Sequence, residues 1–442
     1  MVDQRLHQLF AARATTQGDD LFGAYELISH QQTTDLAPVK RVAILTESFL
    51  PKVDGVSKTS YLTVRYLQET GRDVLIFGPD IAIPSVGPSE VVPLPSLAVP
   101  SATETRMALP IPYIAKRLQE FKPDLIHLAS PALMAVSGMA LGRELNIPIV
   151  ANYQTDLPGY LAQYGFPILT EPLRGWLRYL HNGCHINLVP SNLVGNELKK
   201  HGFRRLRIWG RGVNVERFNP AHYSPMMRER LLNGRDPNSL LIIFVGRLAN
   251  EKRLDLLREL ADIPNVSLTI IGDGHMRGEL EVLFAGTATH FMGYLYKDEL
   301  AAAFASADAF FFPGQNETFG QVVQEAMASG LASVVTNQGA VGELVQEGKT
   351  GFVVAHNRRA FADAANLLQN NRVLLAEMSH NARSLAETRP WSAIMSELEE
   401  HYREAVIMNQ RFKSLFGYTF YHRPLSIGAR LQQWGIRHDI AL

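Results

Sequence analysis

Cys184 is the only cysteine in 442 residues, so the chain has no internal disulfide; this fits a reducing cytosol, with Cys184 as a small core residue. An excess of one charge is also missing. Lys and Arg number 43 and so do Asp and Glu, which removes any global electrostatic basis for binding nucleic acid. Long apolar runs are absent. Stretches such as Leu240 to Val245 are far too short to span a bilayer. From Met1 to Asp20 there is neither a long apolar core nor a small-residue cleavage site, so no signal peptide is expected. A cytoplasmic location follows, with membrane contact at most peripheral, on the inner face. Several catalytic signatures are lacking too. There is no P-loop and no nucleophile-elbow serine, and no His/Cys/Asp cluster has metal-ligand spacing. His127, His181 and His185 read as hydrogen-bonded core residues.

What is present is an ordinary globular composition, 46% hydrophobic and 19% charged, with strands and helices in alternation. Residues 1–38 are polar and read as an extension, partly helical around Leu6 to Ala14. From Arg41 onward, buried strands alternate with helices through residue 218. Asn219-Pro-Ala-His-Tyr-Ser-Pro225 reads as a linker, and the alternation then restarts over residues 219–390, with a helix expected over Lys252 to Ala261. The pattern predicts an α/β protein of two doubly wound parallel-sheet domains facing a central cleft. Residues 391–442 form a last segment: helix to about Gln410, then a tail rich in Arg and aromatics from Arg411 to Leu442. That tail reads equally as a peripheral membrane anchor or as a structural strap.

The most informative string is Glu317-Thr-Phe-Gly-Gln-Val-Val-Gln-Glu325. It follows the apolar strand Ala309 to Phe312, and Val322, Val323, Ala326 and Met327 recur at helical spacing until Gly330. Glu317 then lies just before a helix and Glu325 in its middle. The backbone N–H groups of Thr318, Phe319 and Gly320 face the same space, a ready phosphate site. Carboxylates accept hydrogen bonds from hydroxyls, so the string reads as a sugar-nucleotide socket. A capping glutamate on an amphipathic helix is the plainer alternative.

Other residues join it. Arg247 and Lys252, in Gly246-Arg-Leu-Ala-Asn-Glu-Lys252, suit a diphosphate leaving group. Gly272-Asp-Gly274 is a tight turn after a strand, permitting close backbone approach. Asp54-Gly55 opens the first helix of the N-terminal domain, where a backbone N–H faces outward; a simple turn explains it equally. Gln154 and Asp156, at the end of another strand, offer polar groups to a sugar or an acceptor, or cap a helix.

These motifs resemble glycosyltransferase family four, which has the GT-B fold, from about Val42 to about Trp391. The resemblance rests on Glu317 with Glu325, Phe319-Gly320, Glu325-Ala-Met-Ala-Ser-Gly330, Gly246 to Lys252 and Gly272-Asp-Gly274. It implies that Arg247 and Lys252 hold the donor diphosphate, that Glu325 binds ribose, and that Glu317 with the following amides binds the transferred sugar. It implies also that Gly55 approaches the phosphate, that configuration is retained, and that no metal or other cofactor is needed. Within the family the chain looks most like lipid-directed enzymes. Tyr153-Gln-Thr-Asp156 and the Glu317–Glu325 string resemble GDP-mannose-dependent α-mannosyltransferases. Arg207-Ile-Trp209 with Gly212-Val213, and His127 with Ser130-Pro131, resemble sulfoquinovosyltransferases. The expected partners are a nucleotide sugar, GDP-mannose first, and a lipid acceptor, with a UDP-sugar as the alternative donor. Two departures stand out: Gln154 replaces a frequent histidine, and Ala340 replaces the second glycine after Gly339. The glutamine raises a further reading, a non-catalytic sugar-nucleotide-binding protein.

Overall fold

The computed structural model describes residues 18–19, 39–52, 54–99, 102–108, 113–130, 133–163 and 165–416. The expected helix over Leu6 to Ala14 and the tail beyond Phe416 lie outside them. The chain divides into two compact units. One comprises residues 1–190, 195–209 and 395–442, and the other residues 191–194 and 210–394.

The first unit holds an eight-stranded sheet. In chain order its strands are β1 (Arg41–Leu45), β2 (Asp73–Pro79), β3 (Ser85–Val86), β4 (Ser89–Leu94), then, after a separate hairpin of β5 (Ser96–Val99) and β6 (Ala102–Ala108), β7 (Leu125–Leu128), β8 (Ile149–Asn152), β9 (Ile186–Val189) and β10 (Leu206–Ile208). The spatial order is β10-β9-β8-β7-β1-β2-β4-β3, parallel except for the β3–β4 pair. The central strands are mostly apolar and, after half-buried Arg41, buried, as strands covered on both faces must be; their polar exceptions, His127 and Asn152, pair with each other. Strand order reverses between β1 and β7, which are neighbours. That reversal is where open α/β sheets leave a crevice at their carboxyl ends.

The second unit repeats the plan with six parallel strands: β11 (Leu240–Val245), β12 (Val266–Ile271), β13 (His290–Gly293), β14 (Ala309–Phe312), β15 (Ala332–Thr336) and β16 (Gly351–Val354), in the order β13-β12-β11-β14-β15-β16. Here the reversal falls between β11 and β14. Phe244 and Phe312 stack across these two strands at 5.8 Å and 9°.

Three expectations need correction. The units divide at Trp209/Gly210, not at 218/219. β10 pairs with β9 in the first sheet, whereas Val213 N donates to Arg389 O and bridges Pro390 in the second unit. Local Pro and Asn marked a loop but carried no information on those pairings. The segment after Lys252 is not one α-helix. It forms two 3₁₀ stretches, Asn250–Lys252 and Leu254–Asp262, broken at Arg253, which is left-handed with φ +48°. Finally, the last helix runs from Trp391 to Phe416, past Gln410. Arg411, Phe412 and Lys413 therefore belong to the helix, and the Phe412 ring lies 6.0 Å from that of His185.

From Met395 onward this helix is part of the first unit. Tyr402, fully buried, lies 2.6 Å from His127 Nδ1, and the other ring nitrogen lies 3.0 Å from Asn152 Oδ1. Glu399 pairs with Arg72 at 2.8 Å, both sides nearly shut off from water. The three histidines are core residues, and burial pushes His127, His181 and His185 each down to about 4.

Candidate functional site

In the second unit the two main motifs follow β11 and β14, the neighbours at the strand-order reversal. After β14, Pro313 and Gly314 are buried and Asn316 turns the chain with φ +62°. Helix Gln321–Ala328 begins from Gly320, whose φ of +101° only glycine adopts without strain; a Cβ there would stand 2.7 Å from Val341. Glu317 therefore precedes the helix and Glu325 lies within it, half-buried, as the spacing predicted. Val323, Ala326 and Met327 face the core and hold the helix down.

Lys252 reaches across from the β11 loop. Its ammonium donates to Glu317 Oε1 and stands 5.3 Å from the ring centroid of Phe312. Gln315 N donates to Glu251 O at 3.0 Å, tying the two loops together. Arg247 is exposed and pairs with Glu251 at 2.7 Å. Burial alone would raise the Glu251 carboxyl, but its own backbone N–H and Arg247 outweigh it and hold it below the ordinary value. The backing of Glu317 is tight. Gly339 has φ +76°, a Cβ on it would stand 2.9 Å from Glu317 N, and Ala340 N donates to Glu317 O at 2.8 Å. Only this first glycine is sterically demanded, so Ala340 is accommodated.

The Gly272-Asp-Gly274 turn backs the β11 loop. A Cβ on Gly272 would stand 1.9 Å from Gly246 O, and one on Gly274 2.3 Å from Leu248 O. Leu248 N donates to Asp273 O. The structure thus brings Gly246, Arg247, Lys252, Gly272, Glu317, Thr318, Phe319, Gly320 and Glu325 onto the carboxyl end of one sheet.

The remaining predicted residues lie in the first unit. Asp54 caps helix Gly55–Glu69, accepting from Ser57 N at 2.7 Å and Ser48 Oγ at 2.8 Å. Burial works against ionisation there, but the Ser57 and Ser48 hydrogen bonds and Lys52 prevail and hold the carboxyl below its usual range. Gly55 is exposed at the helix start, with nothing within 4 Å of its Cβ direction. Gln154 is buried, and its Nε2 donates to Ala129 O at 2.8 Å, tying the end of β8 to the end of β7. Asp156 accepts from Gly159 N at 3.2 Å, which caps helix Leu157–Gln163, and from Tyr153 Oη at 3.3 Å.

One residue escaped the sequence reading. Glu47 ends the β1 loop at the strand-order reversal, is buried, and accepts from Met134 N at 2.8 Å. Its own N–H donates to Ser130 Oγ. Burial outweighs the hydrogen bonds from the Met134 and Leu133 backbone and pushes its carboxyl up to about 7. A carboxylate two residues after a buried strand was the available signal. Among the described residues, no group of three or more His, Cys, Asp or Glu side chains converges to hold a metal.

Comparisons with known proteins agree with this geometry. Residues 53–217 match the model of Glycosyltransferase Family 4, and residues 228–385 that of Glycosyl transferases group 1. The chain is 38% identical over 375 residues to a GDP-mannose-dependent alpha-mannosyltransferase of Mycobacterium tuberculosis (strain CDC 1551 / Oshkosh), covering 83% of this chain and 97% of that one. It is 34% identical over 396 residues to the sulfoquinovosyl transferase SQD2 of Arabidopsis thaliana, covering 86% of this chain and 76% of that one. Among solved structures it resembles sucrose-phosphate synthase from Thermosynechococcus elongatus, with TM-score 0.66 and 18% identity over 85% of this chain and all of that one. Motifs, twin parallel sheets and near-full-length relatives converge, and the chain belongs to glycosyltransferase family 4, retaining hexosyltransferases of the GT-B fold.

Proposed function

We propose that this glycosyltransferase moves mannose from GDP-mannose to a hydroxyl of a lipid acceptor, with retention at the anomeric carbon. The observation that carries the donor side is the Lys252–Glu317 pair at the start of helix Gln321–Ala328. A cation and a carboxylate side by side match the two ends of a nucleotide-sugar bond: phosphate on one side, sugar hydroxyls on the other. The mannose and guanosine assignment is supported by the mycobacterial relative's activity and its near-complete coverage.

In this reading Arg247 and Lys252 stabilise the negative charge that grows on the departing diphosphate. Glu317, with the N–H groups of Thr318, Phe319 and Gly320, holds the transferred sugar, and Glu325 the ribose. The acceptor oxygen attacks the anomeric carbon from the face the diphosphate leaves, and the leaving phosphate oxygen takes its proton. Gln154 carries no proton; it keeps the β7 and β8 ends in register, and Asp156 stands beside it on the acceptor side.

A second donor reading has its own support. The plant sulfoquinovosyl transferase relative matches at comparable identity, and a UDP-sugar is the donor that the resemblance to such enzymes implies. A thermal-shift screen over GDP- and UDP-sugars, followed by nucleotide release and lipid-product analysis without added metal, tests both. GDP-mannose should stabilise the protein most and give a mannosylated lipid. Stabilisation by UDP-sugars alone would replace the donor assignment, and stabilisation without turnover would leave only a sugar-nucleotide binder.

A further inference from the structure

We infer that residues 166–179 of the first unit form a lipid-facing ridge that seats the protein on an anionic membrane surface. The inference rests on the lipid-acceptor reading above and gives it a place on the molecule.

The ridge is a run of apolar side chains that the fold leaves in water. Phe166 is 54% exposed, Ile168 84% and Leu169 48%, with Gly165 exposed before them and Pro167 exposed among them. The next helix, Thr170–Asn182, continues the run. Leu177 and Leu180 are buried, whereas Pro172 and Tyr179 (51% exposed) follow at i and i+7, on the outward face. Single exposed apolar residues are normal, but a contiguous set marks an interaction surface.

Charge identifies the partner. Between residues 170 and 205 stand six cations, Arg174, Arg178, Lys199, Lys200, Arg204 and Arg205, against Glu171 and Glu197. The whole chain is neutral, so this excess is local. It also lies alongside the ridge. Arg178 Nη1 donates to His201 O at 3.1 Å, and Arg204 N donates to Asn182 Oδ1 at 2.8 Å, which lays the basic segment against the helix that carries Tyr179. An apolar and aromatic edge bordered by cations is the composition that binds an anionic leaflet.

Position gives the ridge a purpose. It follows Gln154 and Asp156 by one short helix, Leu157–Gln163. A bilayer seated on the ridge brings lipid headgroups to the carboxyl end of β8, the acceptor side of the proposed reaction.

Flotation with vesicles tests the inference on the full chain at low salt. The protein should rise with phosphatidylcholine vesicles containing phosphatidylglycerol and much less with phosphatidylcholine alone. Ile168→Asp should lower the partition coefficient roughly tenfold, as loss of a buried apolar side chain implies. Lys199→Ala should lower it about fivefold, the effect of one cation near the leaflet. Both variants should keep the parent's melting temperature and its lipid-free donor hydrolysis. Flotation of Ile168→Asp at the parent level overturns the inference. So does a parent dimer that Ile168→Asp converts to monomer, which would assign the ridge to a second copy of this chain. A parent that floats by the ridge yet gives no glycosylated lipid supports the ridge and removes the acceptor assignment.

Discussion

Lys252 holds two partners at once: its ammonium donates to Glu317 Oε1 and lies 5.3 Å from the ring centroid of Phe312. A cation kept over a buried ring and against a carboxylate has little freedom to lose when it meets a phosphate. On the proposed reading, a diphosphate that takes over the ammonium frees Glu317 to accept from a sugar hydroxyl, so both ends of the donor are recognised together.

Lys252→Ala should therefore lower kcat by roughly 10²–10³, the usual loss of a transition-state electrostatic donor. Glu325→Ala should act mainly on nucleotide affinity, since a ribose contact persists through the reaction. Steady-state kinetics with saturating donor separate the two. Parent-level turnover by Lys252→Ala would remove it from the leaving-group role.

Gly339→Ala should damage the site without touching a ligand. The added Cβ meets Glu317 N at 2.9 Å from a backbone with φ +76°. The loop must shift, at a cost of about 1–3 kcal/mol for the strained conformation. Turnover should fall while the far-ultraviolet circular dichroism stays unchanged; a variant with full activity would show that the Glu317 loop needs no such backing.

Glu399→Ala should unseat the last helix. It leaves Arg72 buried without its partner, which costs about 3–5 kcal/mol. A lower melting temperature is expected, recovered in part by replacing both residues with apolar ones. An unchanged melting temperature for the single variant would mean that the pair contributes nothing.

The pH dependence of the first unit has two opposing parts. His127, His181 and His185 titrate near 4 in the fold and near 6.5 when unfolded, so they withdraw stability as pH falls from 6.5 to 4. Glu47 and Glu69 titrate near 7 in the fold against 4.5 unfolded, so they withdraw stability as pH rises from 4.5 to 7. Glu47→Gln keeps an acceptor for Met134 N and removes one opposing carboxyl. It should raise stability at pH 8 by on the order of 1–3 kcal/mol and steepen the loss on acidification. Urea titrations at pH 5 and pH 8 read both effects; equal curves for variant and parent would show that Glu47 is not held in a water-poor site.

Most of the fold was legible because parallel strands covered on both faces are written as short apolar runs, such as Leu241 to Val245 and Ala309 to Phe312. The short strands β3, β4 and β16 were not, since they carry Ser, Glu, Pro and Gly and are set by pairing with distant partners. The donor motifs were legible because they are contiguous. Glu47 was not, because its character comes from burial beneath segments far along the chain, where Met134 N and Ser130 Oγ meet it. Gln154 and Asp156 were found; the cap that Asp156 makes to Gly159 N was legible from local spacing, whereas the inward bond of Gln154 to Ala129 O, 25 residues away, was not.

The last helix also has a consequence for how the protein is made. The first unit needs Tyr402 against His127, residues separated by 275 positions. At about 5–20 residues per second, the ribosome delivers the second roughly 15–55 s after the first. The second unit, residues 210–394, is complete before the segment that finishes the first has been synthesised. The amino-terminal sheet therefore cannot receive the Tyr402 ring that meets His127 until the whole sequence of the second unit has been synthesised.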